Sequence, residues 1–282
     1  MSVASVHDFA SGKGHHDENF PVASRLVSAR HRAPIMAFYR FARAADDVAD
    51  HPHAAPEAKL ALLAAMRTTL TGQAETNPEA VALRAACAER GLSVAHGLDL
   101  LTAFERDCTV KRYDTWEDLI DYCRFSAMPV GRFVLDVHGE SRETWAASDA
   151  LCAALQVINH TQDCAKDFRA LDRVYLPLDI LAAHGARIED LGGPAALPAL
   201  RAAIVEMAER SLALLDQSSG FAKTIRDRRL ATEVAVIHGL AKDLTKRLLA
   251  RDPLSERVHH GKLQALLLAA AAAARHTLAR RG

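Results

Sequence analysis

From Arg32 onward the chain reads as one helical segment after another, divided by short breakers. No feature constrains its fold more. Ile35, Phe38, Phe41, Ala42 and Ala45 recur on one helix face. They predict a helix over Arg32 to Asp50, with Pro34 in its first turn and His51-Pro52 as its stop. Further helices are predicted over Pro56 to Leu70, over Pro78 to Arg90 with Gly91 as C-cap, and over Ser93 to Thr109. A capping box, Thr115 to Asp118, opens the next; Pro129 and Gly131 bend it before it ends at Val137. Thr144 to Arg169 is expected as one long helix, and Asp172 to Leu178 as an extended stretch. Asp179 to His184, Pro198 to Gly220 and Arg226 to Leu249 complete the run before a last helix beyond Pro253. No window alternates with period two over a useful length. Alanine makes up roughly a fifth of the chain, far above ordinary usage, and favours helix. An all-α fold in a single domain over 1–282 is the simplest expectation.

Composition narrows the function classes. Lys+Arg and Asp+Glu both number 35, so there is no basic excess of the kind nucleic-acid proteins carry. Five cysteines, Cys87, Cys108, Cys123, Cys152 and Cys164, form no C-x-x-C pair and read as buried reduced thiols. Residues 1–19 are polar and His-rich and lack the apolar core of a secretory signal. The longest apolar run, Ala265 to Ala274, is about half a membrane span and reads as a terminal core helix. A cytoplasmic chain is expected, with peripheral contact at the inner membrane through a helix face left open. The 14 histidines show no zinc spacing; His160 falls about 100° from the face of Asn159. Ser11-Gly-Lys-Gly14 fits neither a dinucleotide fingerprint nor a P-loop.

Two segments carry the chemistry. Tyr39, Arg43, Asp46, Asp47 and Asp50 lie on one stripe of the first helix. Like charges one turn apart repel, and carboxylates among apolar neighbours need a cation. Asn159, Asp163 and Asp167 recur at i, i+4, i+8 on an otherwise apolar helix. Hard oxygen ligands in this number suit Mg²⁺, which takes one or two carboxylates and leaves its other positions to water and phosphate oxygens. A metal and diphosphate site is one reading of the pair. A solvated acidic face is the other for either motif alone.

These residues resemble the squalene/phytoene synthase family, the head-to-head prenyl synthases, over nearly the whole chain. The resemblance rests on Tyr39-x3-Arg43-x2-Asp46-Asp47-x2-Asp50 and on Gln156-x2-Asn159-x3-Asp163-x3-Asp167. It extends to the flank Asp172-Arg173-Val-Tyr175-Leu-Pro177, to Tyr122 with Gly131, and to His16 and Asn19-Phe20 in a partly flexible N-terminal lid over 1–19. It implies an isoprenoid-synthase helical bundle around a central cavity. Asp46, Asp50, Asn159, Asp163 and Asp167 would hold Mg²⁺, with Asp47 auxiliary. Arg43, Lys166 and Arg173 would grip the diphosphate. Tyr39, Tyr122 and Tyr175 would orient it or face a carbocation, and Phe20 and Gln156 would complete the substrate site.

Three stretches are similar to one branch of that family, which in bacterial hopanoid synthesis turns presqualene diphosphate into hydroxysqualene. They are His16-Asp-Glu-Asn-Phe-Pro21, Phe41 to Pro52 and Gln162 to Asp167. That branch implies a prenyl diphosphate lipid as substrate and no NADPH step. It implies coupling to a separate presqualene diphosphate synthase and to a flavin-dependent hydroxysqualene reductase. The chain departs from the wider family at Gln162, where many members carry Arg, and at Arg132, Pro129 and Glu18. Less positive charge fits the ionisation of one diphosphate. The alternatives are a full synthase making a C30 or C40 product and a non-catalytic assembly protein on the same fold.

Overall fold

The computed structural model describes residues 27–279. Among them there is no strand; one isolated parallel bridge pairs Arg112 with Val174. The all-α expectation holds. The chain divides into two compact units, Met1–Val110 with Arg124–Ser141, and Lys111–Cys123 with Arg142–Gly282. It therefore passes from one to the other at 110/111, 123/124 and 141/142.

The first unit is organised on α1 (Ala29–Ala49). Around it pack α2 (Pro56–Leu70), α3 (Pro78–Arg90), α4 (Ala95–Asp107) and α6 (Met128–His138). One face of α1 buries Ile35, Phe38, Phe41, Ala45 and Val48 against Leu63, Leu83, Leu101 and Phe133. Phe38 and Phe133 stack with centroids 4.1 Å apart. The opposite face, with Arg43, Asp46, Asp47 and Asp50, stays half-buried.

Helix α1 starts three residues before the predicted Arg32, so Pro34 lies inside it rather than in its first turn. A proline cannot donate to the carbonyl four residues back. Here that carbonyl, Arg30 O, accepts from the Arg90 guanidinium of α3, and the helix continues. The predicted bend near Pro129 is a full break. It separates α5 (Trp116–Ser126) from α6 at Ala127 (φ −124°, ψ −47°), because Pro129 has no N–H to carry the ladder on.

In the second unit, α7 (Trp145–Gln162) packs on α10 (Pro198–Gln217) and α12 (Arg228–Ala250). Helix α8 (Cys164–Leu171) follows α7, and α9 (Leu178–Ala183) and α11 (Phe221–Thr224) are short connectors. Asp227 caps α12 by accepting from the Arg229 and Leu230 amides at 2.8 and 3.1 Å. The last helix, α13 (Lys262–Ala279), lies along α12, where a Cβ on Gly239 would come within 3.1 Å of Ala272 Cβ.

The cysteine reading fits four positions. Cys87, Cys108, Cys123 and Cys164 are buried and Cys152 is half-buried. Burial pushes the Cys123 and Cys164 thiols up to about 12.

Phe41 is fully buried behind the acidic face. Phe41→Ala is expected to lower stability by about 3–5 kcal/mol in urea unfolding. A loss under about 1 kcal/mol would contradict this packing.

Candidate functional site

The first motif occupies the half-buried side of α1. Arg43 reaches forward along the helix and bridges two carboxylates, with Nη1 2.5 Å from Asp46 Oδ2 and Nη2 3.2 Å from Asp47 Oδ1. Asp50 closes α1 as its C-cap, its amide donating to Asp46 O at 2.8 Å. Tyr39 lies one turn before Arg43, also half-buried.

At Asp46 the Arg43 guanidinium does not offset burial and the neighbouring carboxylates. Burial, then the repulsion of Asp50, pushes the Asp46 carboxyl up to about 7; Arg43 opposes this, and Asp107 and Asp47 add to the rise. The Asp46 side chain still keeps 31% of its surface exposed, so solvent and small cations reach it.

The second motif belongs to the other unit and departs from the predicted single helix over Thr144 to Arg169. After a 3₁₀ turn at Arg142–Thr144, α7 ends at Gln162 and α8 begins at Cys164. Asp163 forms the joint, at φ −97° and ψ 7°, in a sparsely populated bridge conformation. Neither glycine nor proline marks it. Yet the three ligand candidates stay in line, because the Asp163 amide donates to Asn159 O at 2.9 Å and the Asp167 amide to Asp163 O at 2.8 Å. All three side chains are half-buried.

Among the described residues, Lys166 is the cation whose ion pair with this stripe is seen, and a histidine ring lies near it. The exposed Lys166 Nζ lies 3.8 Å from Asp163 Oδ2, and His259 Nε2 lies 3.7 Å from Asp163 Oδ1. Both distances exceed a hydrogen bond. Hard oxygen donors in excess over nearby cations are the donor set that Mg²⁺ requires.

Behind the stripe, α8 ends on Asp172, whose φ of +52° is the one positive value at a non-glycine among the described residues. Aspartate tolerates this conformation. Arg112 holds it in place. Its Nη2 sits 2.6 Å from Asp172 Oδ1, and its Nη1 donates to the Asp172 carbonyl. The chain then runs extended past the buried Arg173, and the Val174 and Leu178 amides donate to Lys111 O and Tyr113 O. This pairing stacks Tyr175 beside Tyr113, with centroids 5.7 Å apart, and Tyr122 lies 5.2 Å from Tyr113 and 5.7 Å from Tyr175.

His160 completes the aromatic group, stacked on Tyr175 at 3.5 Å. Gln156 Nε2 donates to His160 Nε2 at 3.0 Å, which leaves the ring proton on Nδ1, 3.8 Å from Asp167 Oδ2. Four π faces thus collect beside one carboxylate, a group suited to positive charge.

Of the predicted residues, Tyr122, Gln156, Asn159, Asp163, Lys166, Asp167, Arg173 and Tyr175 share the second unit, and Tyr39, Arg43, Asp46, Asp47 and Asp50 the first. Phe20 and the rest of the expected lid lie outside the described residues. Tyr113, His160 and His259 are additions. Gln162 is also distinctive: it is 5% exposed, and neither its amide N nor its amide O meets a partner among the described residues.

The family described as squalene/phytoene synthase matches residues 13–280. A hydroxysqualene synthase of Zymomonas mobilis is 56% identical over 266 residues, covering 94% of this chain and 90% of that protein. One from Rhodopseudomonas palustris is 54% identical, covering 91% and 88%. Among solved structures, a squalene synthase from Alicyclobacillus acidocaldarius superposes with a TM-score of 0.72 at 34% identity, covering 87% of this chain and 90% of that one.

The raised Asp46 carboxyl makes a signed prediction. Between pH 3.8 and about 7 the folded protein keeps a proton that the unfolded chain has lost, so the metal-free fold loses stability as pH rises through that window. Asp46→Asn is neutral throughout. In chelator at about pH 8 it is expected to melt about 2–4 °C above wild type, the shift that ~1 kcal/mol produces in a domain of this size. The gap should close toward pH 5 or so; a gap independent of pH would contradict the shift.

Proposed function

Because the chain belongs to the squalene/phytoene synthase family, we propose that it converts presqualene diphosphate and water into hydroxysqualene and diphosphate, in squalene and hopanoid synthesis. The chain is an enzyme acting on prenyl diphosphates, from a family that is generally metal-dependent. One observation carries the finer reading. Identity to two hydroxysqualene synthases stays above half over about nine-tenths of the chain. The family match runs without interruption across both compact units, and we treat them as one synthase domain.

Asp46, Asp47 and Asp50 on α1 and Asn159, Asp163 and Asp167 on α7 and α8 are the residues that would hold Mg²⁺. Bound there, the metal would supply charge neutralisation for the diphosphate leaving group. Arg43, Lys166 and Arg173 bind diphosphate oxygens. The C–O bond to diphosphate breaks with its electron pair leaving on oxygen, and the cyclopropylcarbinyl cation rearranges. Tyr39, Tyr122 and Tyr175 turn ring faces or hydroxyls to the reacting groups, with Tyr113 and His160 extending the aromatic surface. Water forms the new C–O bond, one of its protons passes to solvent, and the alcohol leaves. Gln156 keeps His160 on Tyr175 by its hydrogen bond, and Phe20 contributes from the N-terminal segment. No nicotinamide step takes part. A separate synthase supplies presqualene diphosphate, and a flavin-dependent reductase consumes the product.

A full head-to-head synthase is the second reading. The name of the Alicyclobacillus relative, squalene synthase, favours it. Against it stands Gln162, a neutral amide where the family resemblance leads one to expect an arginine. Two diphosphates need more positive charge than one.

Purified protein with Mg²⁺ and presqualene diphosphate in ¹⁸O-water is expected to yield ¹⁸O-labelled alcohol, and farnesyl diphosphate alone no C30 product. A C30 product from farnesyl diphosphate alone would move the chain to the second reading. Asp163→Ala should reduce turnover at least about a hundredfold, in line with loss of charge stabilisation at a leaving group, with helicity kept. Near-normal turnover would remove Asp163 from the metal set.

A further inference from the structure

The last helix is not the core helix that its alanine run predicts. Helix α13 turns only one side, centred on the buried Ala272, toward α12. Its other side carries Leu263, Leu266, Leu267 and Leu278, at 71, 66, 62 and 69% exposure. At 100° per residue these four fall within an arc of about 120°. Scattered exposed leucines are ordinary, but four on one arc form a patch that a monomer in water rarely leaves open. Elsewhere among the described residues the exposed large hydrophobics are single: Val110, Val130 and Leu197.

The charge of the chain segment that carries this patch is one-sided. From Arg257 to Gly282 there is no Asp or Glu, while Arg257, Lys262, Arg275, Arg280 and Arg281 carry +5. Residues 1–256 therefore carry −5, although the whole chain is neutral. Lys262 and Arg275, both exposed, sit about 100° and 120° to either side of the centre of the leucine arc. An apolar arc flanked by cations is the pattern of a helix that lies in a membrane interface. No described helix is long and apolar enough to cross a membrane.

We infer that the outer face of α13 docks on an anionic phospholipid surface, with its leucines among the headgroups and Lys262 and Arg275 on lipid phosphates. A second copy of the chain fits this face poorly. A two-fold contact would set cations against cations with no carboxylate between them. The inference stands apart from the proposed reaction, which it complements by placing the enzyme where a C30 diphosphate dissolves.

The test uses the full chain and no substrate, so its outcome is independent of turnover. Vesicles of phosphatidylcholine alone, and with about a third phosphatidylglycerol, are sedimented with the protein. Binding is expected to the anionic vesicles and to fall steeply near 1 M salt, where the Debye length is ~3 Å. Leu266→Ser with Leu267→Ser should weaken it about tenfold or more, and Arg275→Glu alone should weaken it too, with unchanged melting curves. Three results would overturn the inference: no binding to anionic vesicles, equal binding by both variants, or a dimer in light scattering that the serine variant abolishes.

Discussion

Three carboxylates crowd little more than one turn of α1, and their repulsion at Asp46 shapes what surrounds them. The fold keeps Asp46, Asp47 and Asp50 half-buried by packing the opposite face of α1 into the core of the first unit. Phe41 and Phe38 anchor that face, so the helix cannot rotate its acids into open water without exposing them. Arg43 spreads over Asp46 and Asp47, and Asp46 is left with a carboxyl that resists ionisation. Under the proposed function, a divalent cation bound on this face would stabilise the fold. The second motif meets the same constraint differently. Asn159 replaces one carboxylate by a neutral oxygen; Lys166 Nζ lies 3.8 Å from Asp163, and ring nitrogens of His259 and His160 lie 3.7 and 3.8 Å from Asp163 and Asp167, beyond hydrogen-bond reach.

The helical architecture was legible because most of the longer helices have apolar residues at a 3.6 period and a proline, glycine or capping residue near an end. Both acidic stripes were legible for the same reason: i, i+4 spacing converts directly into one face. The joint at Asp163 was not, because no breaker residue marks it, and the side-chain stripe passes through it unbroken. Tyr113 was missed because it reaches Tyr175 through backbone pairing between segments some sixty residues apart, as the Arg112–Val174 bridge records. His160 was set aside on angle alone; a hydrogen bond from Gln156 and a stack on Tyr175 turn its ring proton toward Asp167. Gln162 stood out in sequence as a missing cation, whereas its burial, with both amide atoms unpartnered among the described residues, required the fold.

Net charge illustrates how a whole-chain number conceals local order. Zero is the sum of an acidic body and a basic last segment. The alanine run at the end belongs to the second of these. Alanine gives α13 its helix and its close fit on Gly239, while the leucines on its far side take no part in the core. Periodicity predicts such a helix but not which of two apolar faces is covered.

The central claim is that these carboxylate-rich faces exist to bind cations that in turn bind diphosphate. Calorimetric titration of inorganic pyrophosphate into the protein tests this most directly. The account predicts binding with Mg²⁺, none in chelator, and marked weakening in Asp46→Ala and in Asp163→Ala alike. Equal affinity without Mg²⁺, or full affinity in both variants, would contradict it.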